Sequence, residues 1–190
     1  MNSLLALDSG ILLYIQDYVR EPFMNPFWIY ITSLGDGGIF WITLSLLLMI
    51  PKRTREIGAA ALVSMALCAL CTNIILKPLI ARIRPSEVIE GLTTLIPDPT
   101  ESSFPSGHTT ASFACALVLI QTLPRGYGVP ALILAALVGF SRLYVGVHYP
   151  SDVLGGIAVA LAGSTLVLIM RKKMRERREA VRLEGAEGGE

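Results

Sequence analysis

The chain has 190 residues, of which 53% are hydrophobic and only 16% are charged. A soluble domain carries about a quarter charged residues, so this composition, with a mean hydropathy of +0.59, excludes an ordinary soluble domain and intrinsic disorder. Sixteen basic and fifteen acidic residues leave a net charge of +1, without the basic surface of a nucleic-acid-binding domain. We therefore expect one compact domain in a membrane.

Uncharged apolar runs predict an all-α, polytopic membrane bundle of about six spans over residues 1–170. Residues 1–21 precede the spans and place apolar residues at helical spacing among acids, which is typical of a helix at the membrane interface. A basic and polar tail follows at residues 171–190. In chain order the predicted spans are Pro22–Leu34, Gly37–Ile50, Ile57–Leu76, Thr109–Leu123, Val129–Phe140 and Val153–Met170.

The distribution of basic residues predicts how the bundle is oriented, because cytoplasmic loops collect Lys and Arg. With six spans, the side that holds both termini carries 12 of the 16 basic residues, Arg20 among them. We therefore expect both termini in the cytoplasm and the long polar connection, residues 77–106, outside the cytoplasmic membrane. The four basic residues on the outward side are Lys77, Arg82, Arg84 and Arg142.

Three short polar segments lie at span ends, and the alternation of spans puts all of them on the outward side. They are Lys77–Pro85, Phe104–Thr109 and Ser141–Asp152, and they contain both histidines of the chain. Each has a structural interpretation by itself: cations that reach the headgroups from a helix end, a turn with a helix cap, and a hydrogen-bonded histidine. It would be a coincidence for these three separate structural interpretations to apply to segments on the same face of one bundle. We therefore interpret the segments as one site.

The side chains of these segments suit the binding of a phosphate group. Lys77, Arg84 and Arg142 provide three cations, and a guanidinium group binds phosphate oxygens in pairs. Ser106 and Gly107 precede a predicted helix, whose free N–H groups and positive dipole end favour an anion.

The two histidines suit phosphoryl transfer. His148 lies four residues before Asp152, so the carboxylate can hold one ring nitrogen while the other attacks phosphorus. His108 is then the candidate acid for the leaving oxygen. Hydrolysis by two metal ions is the competing chemistry, but two histidines and one aspartate are too few ligands, and three cations repel a divalent ion. We expect no metal and no cofactor.

The three segments resemble the signature motifs of the type 2 phosphatidic acid phosphatase family, K-x6-R-P, P-S-G-H and S-R-x5-H-x3-D, and every defining position matches. This resemblance implies the helical bundle shared with vanadium haloperoxidases. It implies His148 as nucleophile, Asp152 as its partner and His108 as general acid. Arg82 and the loop residues 86–103 take no role from it. The phosphate-binding residues that it implies are Lys77, Arg84, Ser106, Gly107 and Arg142.

A site at the outward ends of the spans favours a lipid headgroup as substrate. The short chain resembles the small bacterial undecaprenyl-diphosphate phosphatases, so undecaprenyl diphosphate is the expected substrate, with phosphatidylglycerophosphate and phosphatidic acid as alternatives. A non-catalytic phospholipid-binding or transport protein would use the same cations without needing two histidines. A vanadate-dependent haloperoxidase would be soluble. The expected partners are a membrane lipid phosphate and the bilayer, with no nucleic acid.

Overall fold

The computed structural model describes residues 3–187, which form a helical bundle without a β-strand in that range. The helices are α1 (Ser3–Tyr14), α2 (Asn25–Ser33), α3 (Ile39–Met49), α4 (Arg55–Leu70), α5 (Lys77–Ile80), α6 (Pro85–Val88), α7 (Gly107–Thr122), α8 (Arg125–Tyr144) and α9 (Pro150–Glu187). Short π-helical turns (Ile15–Val19 and Cys71–Leu76) and 3-10 turns (Pro22–Met24 and Asp36–Gly38) adjoin them. The predicted all-α membrane bundle is confirmed.

Helix α7 is the centre of the bundle and packs against α4, α8 and α9. Many of its buried side chains are small, and Ala114, Cys115 and Ala116 are completely buried. Small side chains let helix backbones approach closely, which stabilises helix pairs in lipid, where the hydrophobic effect between helices is absent. A similar approach joins α3 to α4, because a Cβ atom on Gly58 would lie 2.3 Å from the carbonyl oxygen of Ser45.

The helices that can cross a membrane are fewer than the sequence predicted. Within residues 3–187, three stretches are long and apolar enough to cross a membrane: Arg55–Val88, Arg125–Tyr144 and Pro150–Val181. The first two predicted spans form one pair of helices bent by 46°, which adds at most a fourth crossing. Helix α7 lies among them with only 16 residues. The count of six spans is therefore not confirmed.

The bend between α2 and α3 lies at two glycines. Gly37 and Gly38 have φ values of +59° and +69°, which other residues rarely adopt without strain. The chain leaves α2 and begins α3 in a new direction over five residues, 34–38. Hydropathy detects two apolar runs here, but it does not distinguish a turn between two spans from a bend within one.

The N-terminal helix lies at the end of the bundle that carries the three polar segments. Asp8 of α1 accepts a hydrogen bond from the backbone N–H of Ser151 at 3.0 Å. Arg20, after the π-helical turn, donates to the carbonyl oxygens of Thr93 at 2.9 Å and Tyr144 at 2.7 Å. The N-terminal segment and the predicted site therefore share one end.

Helix α9 finishes at the opposite end, where Arg178 lies 3.3 Å from Glu56. It is continuous through the predicted boundary at residue 170, and residues 188–190 of the predicted tail lie outside the described range. Within the described residues α1 therefore lies at the site end and α9 finishes at the other end. The membrane side of each terminus stays a prediction. Moving Arg20 from the group of 12 basic residues leaves 11 at the end opposite the site.

Replacing Gly58 by alanine is expected to lower the melting temperature of the protein in detergent. The added Cβ would lie 2.3 Å from the Ser45 carbonyl oxygen, and overpacking of this kind costs about 1–3 kcal/mol. Gly126→Ala in α8 is the matched control, since its Cβ would meet nothing within 4 Å. If both variants melted at the same temperature, α3 and α4 would not be in close contact.

Candidate active site

Helix ends bring the three predicted segments together. The first follows α4, the second begins α7, and the third joins α8 to α9. They touch directly, because the N–H of Ser106 donates to the Asp152 carbonyl at 3.1 Å and Nη1 of Arg84 donates to the Val147 carbonyl at 2.8 Å. The structure thus groups the residues that the motifs grouped.

Two residues with left-handed backbone shape the turns of this site. Ala81, with φ of +46°, ends the short helix that begins at Lys77, and Gly146, with φ of +84°, turns the chain between α8 and α9. A Cβ on Gly146 would also lie 2.9 Å from the carbonyl oxygen of Thr93. Glycine is therefore required where this turn meets the outer loop.

Two arginines are buried without a carboxylate in ion-pair contact among the residues described. Arg84 is 3% exposed and donates to the carbonyl oxygens of Val147 and Glu101, the latter at 2.9 Å. Arg142 is 1% exposed; its Nη1 donates to the Thr32 hydroxyl at 2.6 Å, and its Nε has no partner in the described range. Because a buried cation without a counter-ion is costly, these arginines favour a bound anion.

Lys77 lies beside the start of α7. A Cβ on Gly107 would be 3.9 Å from its ammonium nitrogen, and Ser106 caps the helix by accepting from the Thr109 N–H at 3.4 Å. The ammonium group pairs with Glu101 of the outer loop. Hydrogen bonding and charge from Lys77 lower the pKa of Glu101, so this carboxylate is ionised at neutral pH. It is also 62% exposed and can give way to another anion.

His148 and Asp152 form a buried pair. Nδ1 of His148 lies 3.4 Å from Oδ2 of Asp152, which also accepts from the Tyr149 N–H at 2.9 Å and the Ser103 hydroxyl at 2.5 Å. The other carboxylate oxygen accepts from Arg82 Nη1 at 2.6 Å. These donors hold the carboxylate toward Nδ1 and leave Nε2 as the free ring nitrogen of His148.

The protonation of His148 follows from its surroundings. Burial lowers the pKa of His148 to about 4; the hydrogen bond to Asp152 opposes this shift, and the charge of Arg142 adds to it. The ring is therefore neutral at pH 7. A neutral imidazole retains the lone pair that a nucleophile needs.

His108 lies in the first turn of α7, with a side chain that is 21% exposed. Its Nε2 is 2.8 Å from Oδ1 of Asp36, on the turn between α2 and α3. Gly35 lies against the ring, since a Cβ there would be 2.6 Å from Cδ2 of His108. The second histidine therefore also has a carboxylate partner.

Arg82, for which the sequence offered no role, connects α1 to the site. Nη1 donates to Asp152 as described above, and Nη2 donates to Oδ2 of Asp8 at 2.7 Å. The guanidinium carbon lies 3.8 Å from the centre of the Tyr149 ring. Asp8 is 2% exposed, so Arg82 bridges two buried carboxylates.

Sequence reasoning missed several residues that contact the predicted site, among them Asp8, Asp36, Thr32, Ser103 and Glu101. Asp8 and Asp36 carried a signal, because acidic residues within an apolar segment need partners. Thr32 and Ser103 carried none, since hydroxyl side chains occur along the whole chain.

A cavity of about 710 Å³ opens beside this group. Its polar part is formed by Lys77, Glu101, Gly107 and His108, whereas Arg142 and His148 are not among its lining residues. Helices α3 and α4 form its apolar wall with Ile42, Leu62, Met65, Ala66 and Ala69.

The motif side chains of the site include three cations, Lys77, Arg84 and Arg142. Within residues 3–187 no three His, Cys, Asp or Glu side chains lie close enough to hold a metal ion. Arg82 already occupies Oδ1 of Asp152. Metal independence stays a prediction for the assay described below.

Residues 58–176 match the PAP2 superfamily. The chain belongs to this family. The matched segment contains every motif position predicted from the sequence, so the predicted family is confirmed. It begins after α3, and the contacts made by Asp8, Thr32 and Asp36 come from outside it.

Relatives of this PAP2 chain are named for several lipid phosphates. The undecaprenyl-diphosphatase of Sulfolobus acidocaldarius is 34% identical over 140 residues, which cover 74% of this chain and 67% of that protein. The lipid A 4'-phosphatase of Bacteroides thetaiotaomicron is 27% identical over 185 residues, which cover 90% and 80%.

Solved structures with the same fold include a PAP2 phosphatase and a haloperoxidase. The PAP2-type phosphatidylglycerolphosphate phosphatase of Bacillus subtilis has a TM-score of 0.74 and 28% identity, covering 91% of this chain and 88% of that one. A bacterial vanadium-dependent iodoperoxidase, at 18% identity and a TM-score of 0.68 over 88% of this chain and 49% of that one, shares the fold. The PAP2 chain is thus a membrane phosphatase by family.

Replacing Arg82 by leucine is expected to destabilise the PAP2 bundle. Asp8 and Asp152 would remain buried without their shared cation, and breaking a buried ion pair costs about 3–5 kcal/mol. Arg53→Leu, at an exposed position without an ion pair in the described range, is the control. Melting in detergent should occur at a lower temperature for Arg82→Leu alone; equal melting of the two variants would contradict the bridge.

His148 is expected to make stability depend on pH. Its pKa is about 4 in the folded chain and 6.5 in a free side chain, so unfolding takes up a proton between these values. Stability then falls as the pH decreases from 6.5 towards 4, by up to about 1.4 kcal/mol per pH unit. His148→Gln removes this titration, so its melting temperature should drop less between pH 7 and pH 5. An identical drop would show that the folded chain does not keep His148 neutral.

Proposed function

We propose that this PAP2 phosphatase hydrolyses the phosphate or diphosphate headgroup of a membrane lipid through a phosphohistidine at His148. The observation that carries this proposal is a pair of buried arginines, Arg84 and Arg142, near a buried pair of His148 and Asp152. Buried cations without a carboxylate favour an anionic ligand. A neutral histidine oriented by a carboxylate is a nucleophile. Together they support turnover over binding alone.

In the first step Nε2 of His148 attacks phosphorus, because Nδ1 faces Asp152. The bond from phosphorus to the leaving oxygen breaks, its electron pair stays on that oxygen, and His108 supplies the proton. Asp152 stabilises the positive charge of the phosphohistidine ring. The phosphoryl oxygens are bound by Lys77, Arg84, Arg142, the Ser106 hydroxyl and the Gly107 N–H.

In the second step water attacks the phosphohistidine. His108, now neutral, takes a proton from the water, and the phosphorus–nitrogen bond breaks with its electrons returning to Nε2 of His148. Inorganic phosphate leaves, and both histidines regain their starting forms. The cycle consumes one water molecule, and cationic side chains stabilise the developing charge.

Undecaprenyl diphosphate is the proposed substrate, with undecaprenyl phosphate and phosphate as products. The cavity supports a lipid, because its cationic part continues into the apolar wall of α3 and α4. A headgroup bound at Lys77 would displace Glu101 and leave the chain along that wall. The name of the Sulfolobus relative supports this lipid, and likeness to the Bacillus structure supports phosphatidylglycerophosphate as the second candidate.

We infer that the site faces outward from the cytoplasmic membrane. The end opposite the site holds 11 of the 16 basic residues, including those of the α9 extension. Cytoplasmic ends of membrane proteins collect Lys and Arg. The outward orientation of the site therefore does not depend on Arg20, which lies at the site end.

Phosphate release by the purified protein tests the reaction. We expect undecaprenyl diphosphate to give the highest kcat/KM in a panel with phosphatidylglycerophosphate and phosphatidic acid. His148→Ala should lower turnover of all three by more than about 1,000-fold, as loss of a nucleophile does, while the protein stays folded by its melting transition. EDTA should leave the wild-type rate unchanged.

Three outcomes of this assay would contradict the proposed reaction. Appreciable turnover by His148→Ala would overturn the nucleophile. Lipid binding without phosphate release by wild type would support a phospholipid-binding or transport protein instead. Loss of activity with EDTA and recovery with Mg2+ would overturn the metal-free chemistry.

A further inference from the structure

We propose that Asp36 is a positioning residue that sets the orientation and proton content of His108. The inference rests on the proposed role of His108 as general acid and base. Its basis is the 2.8 Å contact between Oδ1 of Asp36 and Nε2 of His108. Asp36 lies outside the three motifs and outside the segment matched to the family.

The turn that carries Asp36 is shaped to meet the His108 ring. Gly37, at φ of +59°, redirects the chain directly after Asp36. Gly35, directly before it, is buried, and a Cβ there would lie 2.6 Å from Cδ2 of His108. A larger residue at position 35 would push the imidazole away. The turn therefore makes two contacts with His108: Gly35 packs against the ring, and the Asp36 carboxylate contacts Nε2.

The carboxylate decides which ring nitrogen serves the substrate. A carboxylate accepts hydrogen bonds, so Asp36 holds a proton on Nε2 of His108. Nδ1 is then the nitrogen for the leaving oxygen: it carries the second proton when His108 acts as acid and a lone pair when it acts as base. At His148 the arrangement is reversed, with Nδ1 facing Asp152 and Nε2 free.

The charges around His108 show why a carboxylate matters there. Burial lowers the pKa of His108 to about 4, the charges of Arg142 and Lys77 add to this shift, and the hydrogen bond and charge of Asp36 oppose it. A general acid must be protonated before it donates. Removing Asp36 would therefore lower the protonated fraction of His108 further.

The dependence of the rate on the leaving group distinguishes a positioning role of Asp36 from a purely structural one. An alkyl phosphate needs a proton on its departing oxygen, whereas p-nitrophenolate leaves without one, so a general acid matters for the first substrate and little for the second. Asp36→Asn keeps the size of the side chain and removes its charge. The two substrates for the test are dodecyl phosphate and p-nitrophenyl phosphate.

For Asp36→Asn we expect kcat/KM to fall by about 10- to 100-fold with dodecyl phosphate and by less than about threefold with p-nitrophenyl phosphate. The basic limb of the pH profile with dodecyl phosphate should move to lower pH, because the acid loses the group that favours its charged form. Asp36→Glu should recover part of the rate. Asp17→Asn should match wild type, because Asp17 is exposed and its side chain accepts a hydrogen bond from Gln16, outside the proposed site.

His108→Ala makes failure of this inference distinguishable from failure of the proposed function. If wild type releases no phosphate, or if His108→Ala loses activity equally with both substrates, the proposed function fails. If His108→Ala shows the leaving-group dependence and Asp36→Asn does not, the inference alone is overturned. A higher kcat/KM for Asp36→Asn would also overturn it, since Asp36 would then compete with substrate for His108.

Discussion

The organisation of the candidate active site depends on how its buried cations are paired within an apolar helical bundle. An ion removed from water is costly unless it is paired, and the cations here are paired to different degrees. Arg82 contacts two buried carboxylates and Lys77 an exposed one, whereas Arg84 and Arg142 have only neutral oxygen partners among the residues described. The cations proposed to bind phosphate are those whose pairing is incomplete or replaceable. Arg82, whose pairing is complete, instead holds the proposed partner of the nucleophile.

The N-terminal segments supply the second partners of the motif residues. Asp8 reaches Arg82, Thr32 reaches Arg142 and Asp36 reaches His108. All three precede residue 58, where the match to the family begins. Helix α1 and the bent pair are therefore part of the site's electrostatics, because each delivers an oxygen atom to a charged or titratable group.

Close helix packing places the two proposed halves of the phosphate site side by side. The start of α9 approaches the start of α7 at Gly155 and Gly156, where Cβ atoms would lie 2.5 Å from the Phe104 ring and 2.9 Å from the Ser106 carbonyl oxygen. This approach lets the Ser106 N–H bond to Asp152. The glycines that join the helices thus also set the separation between the proposed anion-binding helix start and the proposed nucleophile.

The sequence by itself determined the helical membrane class, the three motif segments and the chemical types of the site residues, since hydropathy and motif spacing are local properties. Its count of six spans is not confirmed, because a glycine turn within one bent pair has the same hydropathy pattern as a loop between two spans. The four-residue spacing predicted the pair of His148 and Asp152, but only the tertiary structure decided which carboxylates serve Arg82, Lys77 and His108. Arg82 is 74 residues from Asp8, and His108 is 72 residues from Asp36. Contacts over such separations depend on how the helices pack, and a local pattern along the chain does not contain that information.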